Sequence, residues 1–237
     1  MKTNNVTIVQ KNSWRVFKRK KAVLNGIALG TAILASTSAL AAPTGGQITA
    51  GNGSIAQEGA NTNINQATQN LRIDWRTFST GTHEAVNFFQ PNNTATAINR
   101  VVGGVPSNLH GALNANGRVF ILNNAGVTFH GTSQVNVGAL VATTASDVAL
   151  NNDGSYSFTG TGNGQVVNRG DITVSNGGFA ILAAPYVANS GTITANLGKI
   201  ALASANDYTV DLRGDNLISY AASEETVREI SNTGTLA

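Results

Sequence analysis

Residues Asn168–Thr173 read NRGDIT, Asn189–Thr194 read NSGTIT, and Asn232–Ala237 read NTGTLA. The shared form is N-x-G-x-[I/L]-[T/A]. The first two copies lie 21 residues apart, and the third lies 43 residues further on, about two such periods. A half-copy, NLGKIA at Asn196–Ala201, follows the second copy by 7 residues. A period near 21, built from short apolar runs and Asn/Gly turns, indicates a solenoid of β-coils. Each coil holds two or three strands, and each strand pairs with its equivalent one coil away, about 4.8 Å along the axis. Gly supplies positive-φ corners and Asn tolerates the left-handed region. Stacked Asn side chains can form hydrogen-bonded ladders inside. The length after residue 41 predicts about nine coils and a rod of about 40–45 Å.

The same grammar runs upstream through Gly117–Thr144, GRVFILNNAGVTFHGTSQVNVGALVATT. Val119 and Ile121, Val127 and Phe129, and Val135 and Val137 alternate with polar residues. Breaks fall at Asn123–Gly126 and Gly131–Ser133. Each run reads as a short strand with one buried face. Further upstream, Leu71, Ile73 and Trp75 should face inward, while Arg72, Asp74 and Arg76 face outward. Ala85–Pro91 and Ala97–Val102 read as two more strands. The Gly-rich stretch Thr44–Ile55 reads as a cap or an edge strand pair.

Charged residues are only 11% of the chain, which also has 26 Gly, 4 Pro and no Cys. Disulfides are therefore excluded, and stability must come from burial and paired strands. Seven of the fifteen Lys/Arg lie before residue 22, and no Asp or Glu precedes Glu58. An apolar stretch, Ala22–Ala35, follows, then Ala39-Leu40-Ala41. This is the form of an extended Sec signal peptide, residues 1–41, cleaved between Ala41 and Ala42. The alternative is an N-terminal membrane anchor, but the apolar stretch is short of the ~20 residues that span a bilayer. Beyond residue 41 the chain carries 8 Lys/Arg and 12 Asp/Glu, a net charge of −4. Its overall basicity therefore implies no nucleic-acid partner, and no transmembrane segment is expected in residues 42–237.

Asn87–Pro91 (NFFQP), Ile98–Val101 (INRV), Gly117–Val127 and Gly178–Pro185 (GFAILAAP) occur in order. Together with the long basic leader they resemble the N-terminal secretion domain of the filamentous haemagglutinin family, exoproteins of bacterial two-partner secretion. The resemblance covers residues 42–237. It implies an all-β, right-handed parallel β-helix with an N-terminal β cap. It also implies a secreted adhesin or haemagglutinin-like exoprotein of a virulence or cell-adhesion type. Such a protein passes through the Sec machinery and the periplasm to the cell surface, where a host cell can be a partner. Its expected transporter is an outer-membrane β-barrel with POTRA domains. The family's central signature is N-P-N-G followed by Ile or Val. Here Asn124 stands at the Pro position and Ala125 at that of the second Asn. The resemblance makes Asn123, Asn124, Ala125, Gly126 and Val127, with Arg100, the candidates for transporter recognition. The same stretch also reads as a plain β-corner. The final coil lacks a polar cap, which leads to the expectation that the native protein continues.

Other motifs point to weaker chemistry. Arg169-Gly170-Asp171 and Arg213-Gly214-Asp215 suggest integrin capture, although the first falls where the repeat needs its Gly. Asp207, Asp211 and Asp215 could serve as acid and base in a secreted β-helix enzyme acting on polysaccharide, or form a solvated edge. Asn151–Gly154 reads as a hairpin turn. His83, His110 and His130 are scattered singly, His130 facing outward, with no metal-ligand spacing. No nucleophile elbow, phosphate loop or dinucleotide fingerprint occurs. The expectation is therefore a non-enzymatic secretion module with no catalytic residue, metal or cofactor.

Overall fold

The computed structural model describes residues 41–204, 208–211, 218–220 and 229–237. The predicted signal peptide lies outside them except at its end, where Ala41 is exposed and Ala42 is the first buried residue. The strands follow the alternating runs. The cap is β1 (Gln47–Ala50) and β2 (Gly53–Glu58). They lie antiparallel on the first coil, β2 on β3 (Asn61–Gln66) and β1 on β4 (Asn70–Trp75). Two uninterrupted coils follow. They hold β5 (Ala85–Phe89), β6 (Thr96–Val101) and β7 (Ser107–Leu109), then β8 (Ala112–Ala115), β9 (Arg118–Leu122) and β10 (Val127–Phe129). The next coil holds β11 (Gln134–Val137) and β12 (Ala139–Thr143). It then leaves the solenoid as a hairpin, β13 (Ala145–Leu150) and β14 (Tyr156–Thr161), and returns at β15 (Gln165–Asn168). After β16 (Asp171–Val174), β17 (Phe179–Ala183) and β18 (Tyr186–Asn189) come β19 (Thr192–Thr194) and β20 (Lys199–Ala203). A second excursion carries β21 (Tyr208–Val210) and β22 (Ile218–Tyr220), before β23 (Glu229–Asn232) and β24 (Thr235–Leu236).

Three sheets make the faces of the coil. Face one is β2-β3-β5-β8-β11-β16-β19-β24, face two is β1-β4-β6-β9-β12-β17-β20, and face three is β7-β10-β15-β18-β23. Pairing is parallel everywhere except at the cap. The parallel β-helix is as expected, but its length is not. About six coils stack rather than nine, an axial span of about 30 Å at one strand spacing per coil. The remaining length lies in the cap and in the two excursions, and the excursion strands form a separate antiparallel sheet, β13-β14-β21-β22.

The same excursions correct the reading of the 43-residue spacing. Asn189 pairs directly with Asn232 across β18 and β23, so 43 residues are one coil plus an insertion, not two periods. The half-copy at Asn196 is a different corner, between faces one and two, where Leu197 takes φ 53°. The true repeat is a ladder. Asn168 Nδ2 donates to Asn189 Oδ1 at 2.8 Å, and Asn189 Nδ2 donates to Asn232 Oδ1 at 2.8 Å. The Gly two residues after each Asn follows from close approach. A Cβ on Gly191 would lie 2.1 Å from Gly170 O, and one on Gly234 2.1 Å from Gly191 O. Only a residue without a side chain lets adjacent corners stack at strand spacing.

The inner core is continuous through the coils, with Leu71, Ile73 and Trp75 inward as expected. Trp75 Nε1 donates to the buried Asn99 Oδ1 at 3.0 Å, which satisfies both polar groups. The expectation of one buried face per strand fails on face two. Val119, Phe120, Ile121 and Leu122 of β9 are all 0% exposed. Val119 and Ile121 point into the solenoid. Phe120 and Leu122 join Val141, Ile181, Tyr156 and Phe158 in a second core beneath the extra sheet. The near-continuous apolar runs RVFIL, ALVAT and FAILA are the signature of a strand covered on both sides.

Candidate functional site

The Asn123–Val127 candidates form the corner between faces two and three. Asn123 is fully buried. Its Oδ1 accepts from the Ala125 N–H at 3.0 Å, and its carbonyl accepts from the Gly126 N–H at 2.9 Å, which closes a tight turn. Its Nδ2 donates to Val105 O and to Ser107 Oγ, each at 2.9 Å, on the preceding coil. One amide thus shapes its own corner and fastens it to the neighbouring one. Gly126 has φ 116°, and a Cβ there would sit 2.9 Å from Gln165 O of the following coil. Val127 faces the inner core. Of the five candidates, only Asn124 is exposed and Ala125 half-exposed.

Arg100, the sixth candidate, is brought to the same recess as Asn124. Gly104 and Ser146 help to line it. Arg100 is not a free cation. Its Nε donates to Asp74 Oδ1 at 2.9 Å, and its Nη2 pairs with Asp74 Oδ2. The Asp74 carboxylate raises the Arg100 pKa above its ordinary value, against the opposing effect of burial. Arg72 pairs with Asp147 on β13 and donates to Val148 O at 3.4 Å, which ties the solenoid to the extra hairpin.

Sequence reasoning missed the apolar part of this region. Val102 is 59% exposed and Val105 is 46% exposed, on the loop between β6 and β7. Val105 supplies the carbonyl that Asn123 holds. The available signal was Val102-Gly103-Gly104-Val105-Pro106, apolar residues out of strand period inside a Gly/Pro loop. The exposed face of this corner thus joins the Asn124 amide and the apolar Val102 and Val105 to the Asp74-paired guanidinium of Arg100.

The other sequence candidates are dispersed. Gly170 of the first RGD lies in the corner between β15 and β16, as the repeat requires, and the second RGD lies outside the described residues. Asp207 and Asp215 also lie outside them, so their spacing with Asp211 forms no described cluster. Asn151–Gly154 is the turn of the β13–β14 hairpin. The histidines are not all single: His110 and His130 stack on adjacent coils, with ring centroids 3.7 Å apart. Burial, then the neighbouring His110 and Arg169, hold the His130 pKa below its ordinary value. Among the described residues no group of three metal-ligating side chains is present, and no helix is long and apolar enough to cross a membrane.

The family described as TPS secretion domain matches residues 39–236. A heme/hemopexin-binding protein of Haemophilus influenzae strain Rd is 34% identical over 201 residues, 79% of this chain and 22% of that protein. A second protein of the same name from Haemophilus influenzae is 41% identical over 97 residues, 40% of this chain and 10% of that protein. The chain thus spans about a fifth or less of the length of these relatives. The crystal structure of the HMW1 secretion domain from Haemophilus influenzae superposes with a TM-score of 0.71 at 27% identity. It covers 82% of this chain and 53% of that one. The filamentous hemagglutinin secretion domain gives a TM-score of 0.55 at 15% identity, over 82% of this chain and 75% of that one, a likeness of fold alone.

Proposed function

The chain belongs to the TPS secretion domain family, and from that premise we propose that its Asn123–Val127 stretch is read by an outer-membrane transporter with periplasmic POTRA domains. The recognition is made before the coil closes, by addition of the extended segment to a POTRA sheet edge. The observation that carries this reading is the complete use of the Asn123 amide in the folded corner. An amide held by a transporter cannot fasten the coil, and one that fastens the coil is no longer available to the transporter. Folding outside the cell therefore competes with binding inside and makes the handover directional. Coils stack on their neighbours as residues emerge, so burial and strand pairing bias the chain outward without a nucleotide.

On this reading residues 1–41 direct passage through Sec, with cleavage between Ala41 and Ala42, and the chain acts in secretion rather than in catalysis. Adhesion to a host surface, or the heme and hemopexin binding that the relatives' names carry, is proposed for the longer exoprotein that such a domain leads.

The test is secretion with and without a co-expressed barrel partner, for the parent and for N124A. The parent should reach the medium only with the partner, and N124A should reach it several-fold less while its folded stability is unchanged. Equal secretion without the partner overturns the reading. Parent-like secretion of N124A overturns the reading of Asn124 in the extended segment by the transporter.

A further inference from the structure

We propose that the recess at Arg118 is a binding site for the carboxylate of an acidic sugar. Arg118 begins β9 on the outer side of face two, below the extra sheet. The next rung of its column is Ala139, and Phe179 stands on the rung after that, one residue before Ala180. The small Ala139 leaves a gap, across which the Arg118 guanidinium reaches to 6.0 Å from the centroid of the Phe179 ring. Asn93, Thr94, Ser175 and Asn176 line the same recess.

The guanidinium is half-buried, and among the described residues no carboxylate lies within 4.0 Å of it and no hydrogen bond takes up its donors. This contrasts with Arg72 and Arg100, which face the same side of the sheet and are both paired. Burial lowers the Arg118 pKa from its ordinary value, with Tyr156 acting in the opposite sense. A partly desolvated guanidinium with free donors favours a planar anion that it can grip with two parallel hydrogen bonds.

The surroundings select the class of that anion. Among the described residues lining the recess Arg118 is the one cation, with Lys199 beyond it on the rung next to Phe179, which suits a monoanion rather than a phosphate dianion. Strand β9 is paired on both sides, with β6 and β12, so a peptide cannot add here as a strand. The rim is amide and hydroxyl, the groups that hydrogen-bond sugar hydroxyls. A second recess, toward Tyr156 and Gln69, also opens onto Arg118 and Thr94 and gives room for a neighbouring sugar unit. This site is independent of transporter recognition.

The experiment is calorimetric titration of the full chain with glucuronate, glucose, acetate and inorganic phosphate, repeated on R118Q, R118K and N176D. Glucuronate should bind at least tenfold more tightly than each of the other three. R118Q should abolish binding, and R118K should weaken it about fivefold through loss of the two-pronged grip. N176D, which places a carboxylate in the recess without touching Arg118, should weaken it at least tenfold with the circular dichroism spectrum unchanged, and so serves if R118Q fails to fold. No binding of glucuronate, equal binding of acetate or phosphate, or parent-like binding by R118Q or N176D overturns the proposal.

Discussion

At the scale of single residues, the corner at Asn123 divides stability from exposure. Asn123→Ala removes an amide with three partners and leaves Ser107 Oγ, Val105 O and the Ala125 N–H under-satisfied in a dry site. The expected loss is about 2–4 kcal/mol, read as a lower urea midpoint with an unchanged slope. Asn124→Ala should cost under ~0.5 kcal/mol, so any secretion defect in that variant is one of recognition. Both residues are Asn, and the sequence marks the corner without saying which amide is consumed. His130 supplies a pH test. Its folded pKa lies below the ordinary value, so the unfolded chain binds protons more readily. Stability should fall as pH drops through the unfolded value, ~6.5. His130→Asn, which removes the stacked pair, should flatten the stability profile between about pH 7 and pH 5. An unchanged slope would show that the stack carries no linkage.

At the scale of elements, the extra sheet explains why face two is apolar throughout. Phe120 is the centre of that contact, with Tyr156 edge-on at 5.0 Å and Phe158 at 5.8 Å between ring centroids. Phe120→Ala should cost about 3–5 kcal/mol, and hydrogen exchange in β13–β14 should accelerate more than in β10. The hairpin is also tied by Arg72 and Asp147. Burial pushes the Asp147 pKa up, but the hydrogen bonds from Arg72 and the Val148 N–H outweigh it and leave the pKa lowered. A carboxylate of this kind stabilises above its unfolded pKa and loses that contribution as pH falls through the folded value. Asp147→Asn should therefore reduce the acid sensitivity of the hairpin, measured as proteolysis near Asn151–Gly154 at pH 7 and pH 3. Asp147 is exposed and Arg72 half-buried, so solvent screens the pair and its effect at neutral pH should be small.

At the scale of the whole molecule, stability is a sum of coils and the contacts between neighbours. Two asparagine ladders run along the axis, and burial separates them. Asn168 and Asn189 are buried at the corner between faces three and one, with the exposed Asn232 closing the row, whereas half-buried Asn63, Asn87 and Asn114 bond at 2.9–3.0 Å on the outer side of face one. Asn189→Ala should lower the urea midpoint by at least twice as much as Asn87→Ala, because water replaces the lost amide only on the outer ladder. Equal losses would show that burial does not govern ladder strength.

The sequence by itself determined the strands and their corners, because alternation and Asn/Gly turn chemistry act within a few residues. Leu71, Ile73 and Trp75 point inward for that reason, and the N-x-G repeat marks a real stack. It also marked Asn123–Gly126 as a corner. Tertiary structure decided how many coils there are, because a 43-residue spacing fits two plain coils as well as one coil carrying an insertion. It decided that Phe120 and Leu122 are covered, since their partners, Tyr156 and Phe158, come from a hairpin outside the period. It also brought His110 to His130, and Arg118 across Ala139 to Phe179. Such adjacencies join residues tens of positions apart, and they depend on where the chain leaves and re-enters the solenoid, which no local pattern records.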